Sequence, residues 1–368
     1  MQSEWQARVE DMAVEIKENN NNLTEKEPEL FEHYRFEIDK GQGQLRIDRF
    51  LMSRIMNASR TKIQDATNAG YILVNGNTVK PSYNIKPSDV ITVMLTHPQR
   101  EIELLPEDIP LDIRYEDKDL VVINKPAGMV VHPAFGNYRG TVVNALMGHF
   151  RRDGRKPKNN VPGPYLVHRI DKDTSGLMLV AKNENSQMRL SRQFYRHSVQ
   201  RKYLAVVWGD FRSDKGIIKG HIGRSTRDRK IFTVFPEGDS GKHATTHYKV
   251  VERLGYVTLI ECELETGRTH QIRVHLKYIG HPLFNDETYG GNEILKGTTF
   301  AKYKQFVQNC FKICPRQALH AKSLGFIHPL KGNHLYFESE LPKDMTELID
   351  KWRTYAIHKL NDDYFQDI

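Results

Sequence analysis

Cysteine is scarce: Cys262, Cys310 and Cys314 are the only three in 368 residues. That count excludes a disulfide scaffold and points to a reducing compartment. No run of roughly 18 apolar residues occurs, so no transmembrane helix and no membrane partner are expected. The polar start, Met1 to Glu10, lacks the apolar segment of a secretory signal, and a soluble cytoplasmic protein is expected. A Gly-rich phosphate loop and an Asp-Phe-Gly triplet are both missing, which sets aside a kinase reading of His168-Arg169. His270 and His275 stand five apart with no His-Glu-x-x-His pattern, and Asp171 and Asp173 have no third ligand close in sequence. No metal is therefore expected.

Hydrophobic residues make up 39 % and charged residues 27 % of the chain. That balance supplies a core, and the length suits two domains. The charge is uneven. Residues 1–33 hold nine acidic against three basic side chains, a net of −6, so the rest, with 51 basic and 37 acidic, carries +14. A basic body behind an acidic tail suits a polyanionic partner, because neutralised phosphates release counterions. The competing reading is a Lys-rich surface that serves solubility.

An acidic tail is expected over residues 1–40, with Asn19 to Asn22 and Glu25-Lys26-Glu27-Pro28-Glu29 too poor in apolar groups to order. A short transient helix at Trp5–Ile16 is the one local feature expected there. From Leu45 helical spacing begins: Ile47, Phe50, Leu51 and Ile55, then Ile63, Ala66 and Thr67, with Ser59 as cap and Gly70 as stop. Tyr71 to Val79 reads as a hairpin on Asn75-Gly76, and Val90 to Leu95 as a strand. Arg46, Arg49, Arg54, Arg60 and Lys62 cluster on the helices. They suit an RNA backbone, or equally an ordinary solvated face. His97–Pro110 reads as a linker.

Beyond it strands dominate: Leu120–Asn124, Gly176–Ala181, Tyr203–Trp208 and Tyr256–Ile260. Helices are expected at Thr141–Phe150, Asn185–Arg196, His270–Ile279, Thr299–Ile313 and Lys343–Lys359. Strands without strict βαβ alternation point to an α+β fold with a mixed or antiparallel sheet. Just before one apolar strand stands His168-Arg169-Ile170-Asp171-Lys172-Asp173-Thr174-Ser175-Gly176, two carboxylates and two cations in six residues. Sheet-end loops carry function, but a capped surface turn accounts for the same residues. Gly267-Arg268-Thr269-His270 opens a helix with donors suited to an anion, and Arg201 to Ala205 begins a strand. No one of these stretches decides anything alone.

Two resemblances do. Arg46-Ile47-Asp48-Arg49-Phe50-Leu51, Ser59-Arg60 and Gly70 to Gly76 resemble the S4 RNA-binding domain, with Ile47 and Ile72 as conservative departures. Asn124 to Gly128 with Val131-His132-Pro133, His168 to Gly176, Arg201 to Ala205, Gly267 to Leu276, and Leu319-His320-Ala321 with His328-Pro329 occur in one order. Together they resemble the RluA-type RNA pseudouridine synthases, with Ile170 in place of the usual Leu. The arrangement is most similar to the group that modifies bacterial large-subunit ribosomal RNA. The implied layout is an S4-like α/β RNA-binding domain at 45–107, a catalytic domain with a mixed or antiparallel sheet at 108–345, and a helix and tail at 346–368.

The resemblance implies that uracil is detached from C1′, rotated and rejoined through C5, a reaction that requires no cofactor. It puts the catalytic carboxylate at Asp171, its paired cation at Arg273, the aromatic against the flipped ring at Tyr203, an apolar wall at Leu319, and the filler of the vacated stack at Arg169. It leaves Asp173, Thr174 and Ser175 to hold the turn. Attack on C1′, support of an oxocarbenium-like state and removal of the 2′ proton all remain open for Asp171. The partner implied is 23S-type ribosomal RNA or the assembling large subunit, with transfer RNA as an alternative substrate and a monomer as the default state. A non-catalytic ribosome-assembly protein and an RNA glycosidase are the rivals. Cys310 and Cys314 read as structural.

Overall fold

The computed structural model describes residues 30–38, 45–55, 60–95, 104–133, 137–152, 164–226, 228 and 231–366. The helix expected at Trp5–Ile16, the Ser59 cap and the start of the linker lie outside the described residues. The chain forms two compact units, one up to residue 103 and one from 104 onward.

The first unit contains β1 (Phe31–Glu37), β2 (Leu45–Arg46), helix α1 (Ile47–Arg54), helix α2 (Arg60–Asn68), β3 (Ile72–Val74), β4 (Asn77–Thr78), β5 (Asn84–Ile85) and β6 (Val90–Leu95). Four strands pair in the order β1-β6-β3-β4. The hairpin is as read: Asn75 and Gly76 both have positive φ, 51° and 81°, as a primed two-residue turn requires. The expected acidic tail ends earlier than residue 40. Phe31–Glu37 pairs antiparallel with β6, and Phe36 meets the Phe50 ring edge-on at 5.8 Å. Burying that ring and completing a strand edge outweigh the segment's charge.

The basic residues of this unit divide into two kinds. Arg46 and Arg60 donate to Asp48 Oδ2 at 2.9 and 3.0 Å, and Gln64 adds a third bond at 2.8 Å. Asp48 is fully buried. Burial works against its charge, but the bonds from Arg46, Gln64 and Arg60 hold it well below the usual carboxylate range. Two of the five cations assigned to RNA thus neutralise an internal anion. Arg49 and Arg54 are exposed, Arg54 lying 5.4 Å from the Phe50 ring centre, and Lys62 is half-buried.

The second unit is built on one sheet. Its elements are β7 (Asp112–Glu116), β8 (Leu120–Lys125), α3 (Val142–Arg152), β9 (Tyr165–Leu166), β10 (Ser175–Ala181), α4 (Glu184–Tyr195), β11 (Gln200–Trp208), β12 (Lys215–Arg224), β13 (Phe232–Phe235), β14 (Lys242–Arg253), β15 (Val257–Leu264), α5 (Gln271–Tyr278), α6 (Ala301–Ile313), β16 (Leu319–Ile327), β17 (His334–Glu338) and α7 (Lys343–Gln366). The order is β13-β12-β14-β15-β11-β16-β10-β8-β7, with β17 beside β16 and β9 beside β10.

All these pairs are antiparallel except β10–β16, which run parallel at Ser175–His320 and Gly176–Ala321. This seam joins the two halves of the sheet, and the loop His168–Thr174 enters it. Every residue of β10 is buried because alternate side chains meet different layers. Leu177 and Leu179 pack toward α4, Met178 and Val180 toward α3. In the other half, β11 and β15 send Ala205, Val207 and Ile260 toward α5, and Val206, Trp208 and Val257 toward α6 and α7.

Residues 346–366 are part of α7, whose Leu348, Ile349 and Trp352 are core residues packed with Trp208 and Phe284. Cys310 and Cys314 belong to that same core and, with Cys262, are buried and unpaired. Among the described residues no helix is long and apolar enough to cross a membrane.

Candidate active site

Ile170 fixes the loop from beneath. It is buried in one cluster with Tyr203 of β11, Ile272 of α5 and Leu319 of β16. The next residue, Asp171, therefore emerges where these three elements meet, with 21 % of its side chain exposed. Arg273, one turn into α5, donates from Nη1 to Asp171 Oδ2 at 3.0 Å. The structure thus brings Asp171, Arg273, Tyr203 and Leu319 together. Arg169 is exposed beside them.

Arg273 is itself held from behind. Its Nε and Nη2 donate to the two oxygens of Asp286, each at 2.8 Å, and Asp286 is fully buried. Tyr289 completes the holder: its ring centre lies 5.0 Å from the guanidinium, and its N–H donates to Asp286 Oδ1 at 3.2 Å. Burial opposes the charge on Arg273, but Asp286 and Asp171 more than compensate and push its pKa up. His270 lies on the other side of the carboxylate, its Nε2 3.8 Å from Asp171 Oδ1. Its backbone is left-handed, φ 54°, at the start of α5, and its Nδ1 bonds the Tyr289 hydroxyl at 2.9 Å. Burial lowers the His270 pKa, and the nearby Arg273 and Arg169 add to that against the pull of Asp171 and Asp286.

The turn ahead of α5 is tied by Gln271. Its Oε1 accepts the Arg268 N–H at 2.9 Å and the Thr266 hydroxyl at 2.8 Å, while Nε2 donates to the Thr245 carbonyl at 3.0 Å. One side chain thereby sets the direction in which α5, and Arg273 with it, leaves the sheet.

Three distant side chains pin the loop after Asp171. Lys125, ending β8 and buried, gives its ammonium to the carbonyls of Pro126, Met129 and Lys172 at 2.8, 2.9 and 2.9 Å. Burial pushes its pKa down to about 7 despite Asp173 and Asp171 nearby, with Arg316 adding to the depression. Arg316 donates to the Asp173 carbonyl at 2.9 Å and grips Asp344 at 2.7 and 3.0 Å. His320 meets the Ser175 hydroxyl at 2.9 Å and Ser339 at 2.8 Å. Ser175 holds the turn as expected. Thr174 does so only through its N–H, which donates to the Asp171 carbonyl at 3.2 Å, since its buried hydroxyl has no partner. Gly176 follows with φ 114°, where a Cβ would lie 2.3 Å from the Ala321 carbonyl oxygen. Only glycine lets β10 run this close to β16.

One group of three His and Asp side chains at metal-ligand separation occurs among the described residues: Asp117, Asp119 and His328. Lys331 and His328 each reach Asp117 Oδ2 at 2.8 Å, so a lysine ammonium already supplies the cation there.

Comparison with known proteins decides what this arrangement belongs to. A family profile described as RNA pseudouridylate synthase matches residues 119–278, and the S4 domain profile matches residues 45–91. An RNA pseudouridine synthase of Chlorobaculum parvum is 47 % identical over 319 residues, 86 % of this chain and 97 % of its own. The chain belongs to the RNA pseudouridine synthase family. It is thus an isomerase that acts on RNA, carrying an S4 domain ahead of its catalytic fold. Among pseudouridine synthases it is also similar to the ribosomal large subunit pseudouridine synthase D of Zymomonas mobilis, 43 % identical over 82 % of this chain and 91 % of that one. A human RNA pseudouridylate synthase domain-containing protein shares the fold, with TM-score 0.50 and 24 % identity over 66 % of this chain and 92 % of its own.

Asp286, Gln271, Lys125 and Arg316 were not singled out from the sequence. Asn124 to Gly128 stood out as a stretch but without a role for Lys125. For Asp286 the only local signal is an acid between Asn285 and Glu287.

Proposed function

We propose that this enzyme converts uridines of large-subunit ribosomal RNA to pseudouridine, with Asp171 acting at the ribose of a nucleotide flipped out of its stack. The observation that carries the reading is the ion-paired carboxylate at the seam of the sheet: Asp171 on Arg273, Arg273 on buried Asp286, with Tyr203 alongside. In the reaction the N1–C1′ bond breaks, the base turns, and a C5–C1′ bond forms. N1 gains a proton and C5 loses one, so atoms and charge balance without any added reagent.

Attack on C1′, support of an oxocarbenium-like state and removal of the 2′ proton each require an ionised carboxylate held in place. Arg273 provides the orientation, because Asp286 fixes its fork and leaves one N–H aimed at Asp171. Tyr203 packs on the flipped ring, Leu319 forms the apolar wall and Arg169 fills the vacated stack, offsetting a flipping cost on the order of a few kcal/mol. The S4 unit grips phosphates and so selects the site without reading the base. The ribosomal target is supported by likeness to relatives named for the large subunit in Zymomonas mobilis and Vibrio cholerae.

The test is pseudouridine mapping of ribosomal RNA in cells holding the wild-type protein or Asp171→Ala. Sites present with the first and absent with the second support the reading. Identical maps would sink it, and free uracil as product would indicate a glycosidase.

A further inference from the structure

Three arginines are buried among the described residues, and two have their charge answered. Arg273 holds Asp286 and Asp171, and Arg316 holds Asp344. Arg201, only 7 % exposed, has neither a carboxylate nor a hydrogen bond among the described residues, and its Nε is fully buried without a partner. Its guanidinium instead faces the Phe194 ring, whose centre lies 5.5 Å from the guanidinium carbon. His168, stacked on Phe194 at 4.7 Å, accepts the Leu179 N–H at Nε2 and is kept neutral by burial. Tyr203, two residues along the same face of β11, is likewise neutral. No protein anion among the described residues compensates this cation.

The surroundings leave it an outlet. Gly267 is exposed in the turn leading to α5, and a Cβ there would lie 2.7 Å from Arg201 Nη1. The absent side chain keeps the tip of the guanidinium uncovered, on the Tyr203 side of the strand and beside the turn that leads through His270 into α5, the helix of Arg273. Packing alone does not explain such a group. A methionine would fill the space beside Phe194 without stranding five N–H donors. A buried, unpaired guanidinium has the planar donor set that takes an anionic oxygen pair.

We propose that Arg201 binds a backbone phosphate of the RNA strand, that of the flipped nucleotide or of its immediate neighbour. Every nucleotide brought to Asp171 carries such a phosphate on the same ribose, so ligand and reacting atom arrive together. Arg201 is then a positioning residue: it fixes the strand while Tyr203 and Asp171 engage base and sugar. This rests on the functional reading above for the identity of the RNA.

The experiment compares wild type, Arg201→Met, Arg201→Lys and Gly267→Ala as full-length proteins on a ribosomal RNA transcript, with binding and conversion measured separately across a KCl series. Leaving one phosphate without its cation lowers the slope of log affinity against log salt by about 0.7 to 0.9. Arg201→Met is expected to lose that amount, with KM up about tenfold and kcat within about twofold. Arg201→Lys keeps the slope. Gly267→Ala, which displaces only the far end of a flexible side chain, folds normally and shifts KM in the same direction.

RNA carrying single neutral methylphosphonate linkages supplies a readout independent of protein folding. One linkage at or next to the target uridine should weaken wild-type binding and weaken Arg201→Met no further. An unchanged slope and KM in folded Arg201→Met, or equal additional losses at every linkage, overturns the proposal. Absence of pseudouridine with wild-type protein would instead refute the functional reading, leaving the salt-slope comparison intact.

Discussion

Asp286 occupies both Nε and Nη2 of Arg273 at 2.8 Å, so only Nη1, 3.0 Å from Asp171, is left to face the candidate catalytic carboxylate. One buried acid therefore determines how another is presented, and the sequence separation of 115 positions between them hides the link.

That relation predicts the effect of Asp286→Ala. Removing one partner of a buried pair leaves an uncompensated charge and should lower stability by about 3 to 5 kcal/mol. Asp286→Asn keeps the shape but loses the charge-assisted fork. Its kcat is expected to fall on the order of 10²-fold through misorientation, with KM nearly unchanged. Single-turnover rates with thermal melts on the same samples separate the two effects, and a kcat within about twofold of wild type for Asp286→Asn would argue against the relay.

Arg273→Lys should be nearly as damaging as loss of the charge. An ammonium cannot satisfy Asp286 with two parallel bonds and still reach Asp171. Pseudouridine formation by this variant is expected to drop at least on the order of 10²-fold while RNA affinity holds within about threefold.

Lys125 makes stability depend on pH in a definite direction. Its folded pKa is about 7 against 10.5 for the free side chain. Between those values the unfolded chain binds more protons, so the contribution of this residue to stability rises with pH through that window and is least below 7. Lys125→Met should flatten the denaturation midpoint measured between pH 7 and 10. It should also loosen the loop, since the Lys172 carbonyl loses one of its two donors.

Buried histidines act at the acid end. Burial, with nearby cations, pushes His320 and His275 down to about 4 and His168 to about 3. Below 6.5 the unfolded chain takes up protons that the folded chain refuses, and stability falls by about 1.4 kcal/mol per pH unit for each such group. Melts from pH 7 to 5 should show a steep loss of Tm in the wild type and a shallower one in His320→Asn.

In the S4 unit the cations separate by role. Asp48→Asn should destabilise this unit, because Arg46 and Arg60 lose their shared anion. Arg49→Ala and Arg54→Ala should leave the melt unchanged and reduce the salt slope of RNA binding, by about 0.7 to 0.9 for each phosphate no longer neutralised. A lowered melt for Arg49→Ala would return it to the structural class.

Much of the fold was readable because local chemistry and tertiary packing agree. Asn75-Gly76 has the one turn its backbone favours, and the unbroken apolar run Gly176–Ala181 reports a strand covered on both sides. The site loop was readable as an ordered set of stretches, each weak alone. The features that are not legible in the sequence share one physical trait, dependence on a partner far along the chain. Asp48 has Arg46 close in sequence, but its other partners, Arg60 and Gln64, stand 12 and 16 positions away. β1 is hidden by its three charged residues, Glu32, Arg35 and Glu37, although Phe31, His33 and Phe36 supply its less exposed positions. β12 is obscured because Lys and Gly interrupt its alternation and β14 because Lys, His and Glu do, and the two are held by pairing with each other.

The loop carrying Asp171 is fastened by Lys125 from upstream and by Arg316 and His320 from downstream, and Arg316 in turn is anchored on Asp344. A chain still emerging from the ribosome holds Asp171 long before it holds those last fasteners. The site therefore matures late in synthesis, and a chain ended near residue 315 would carry the candidate catalytic residue while being unable to present it.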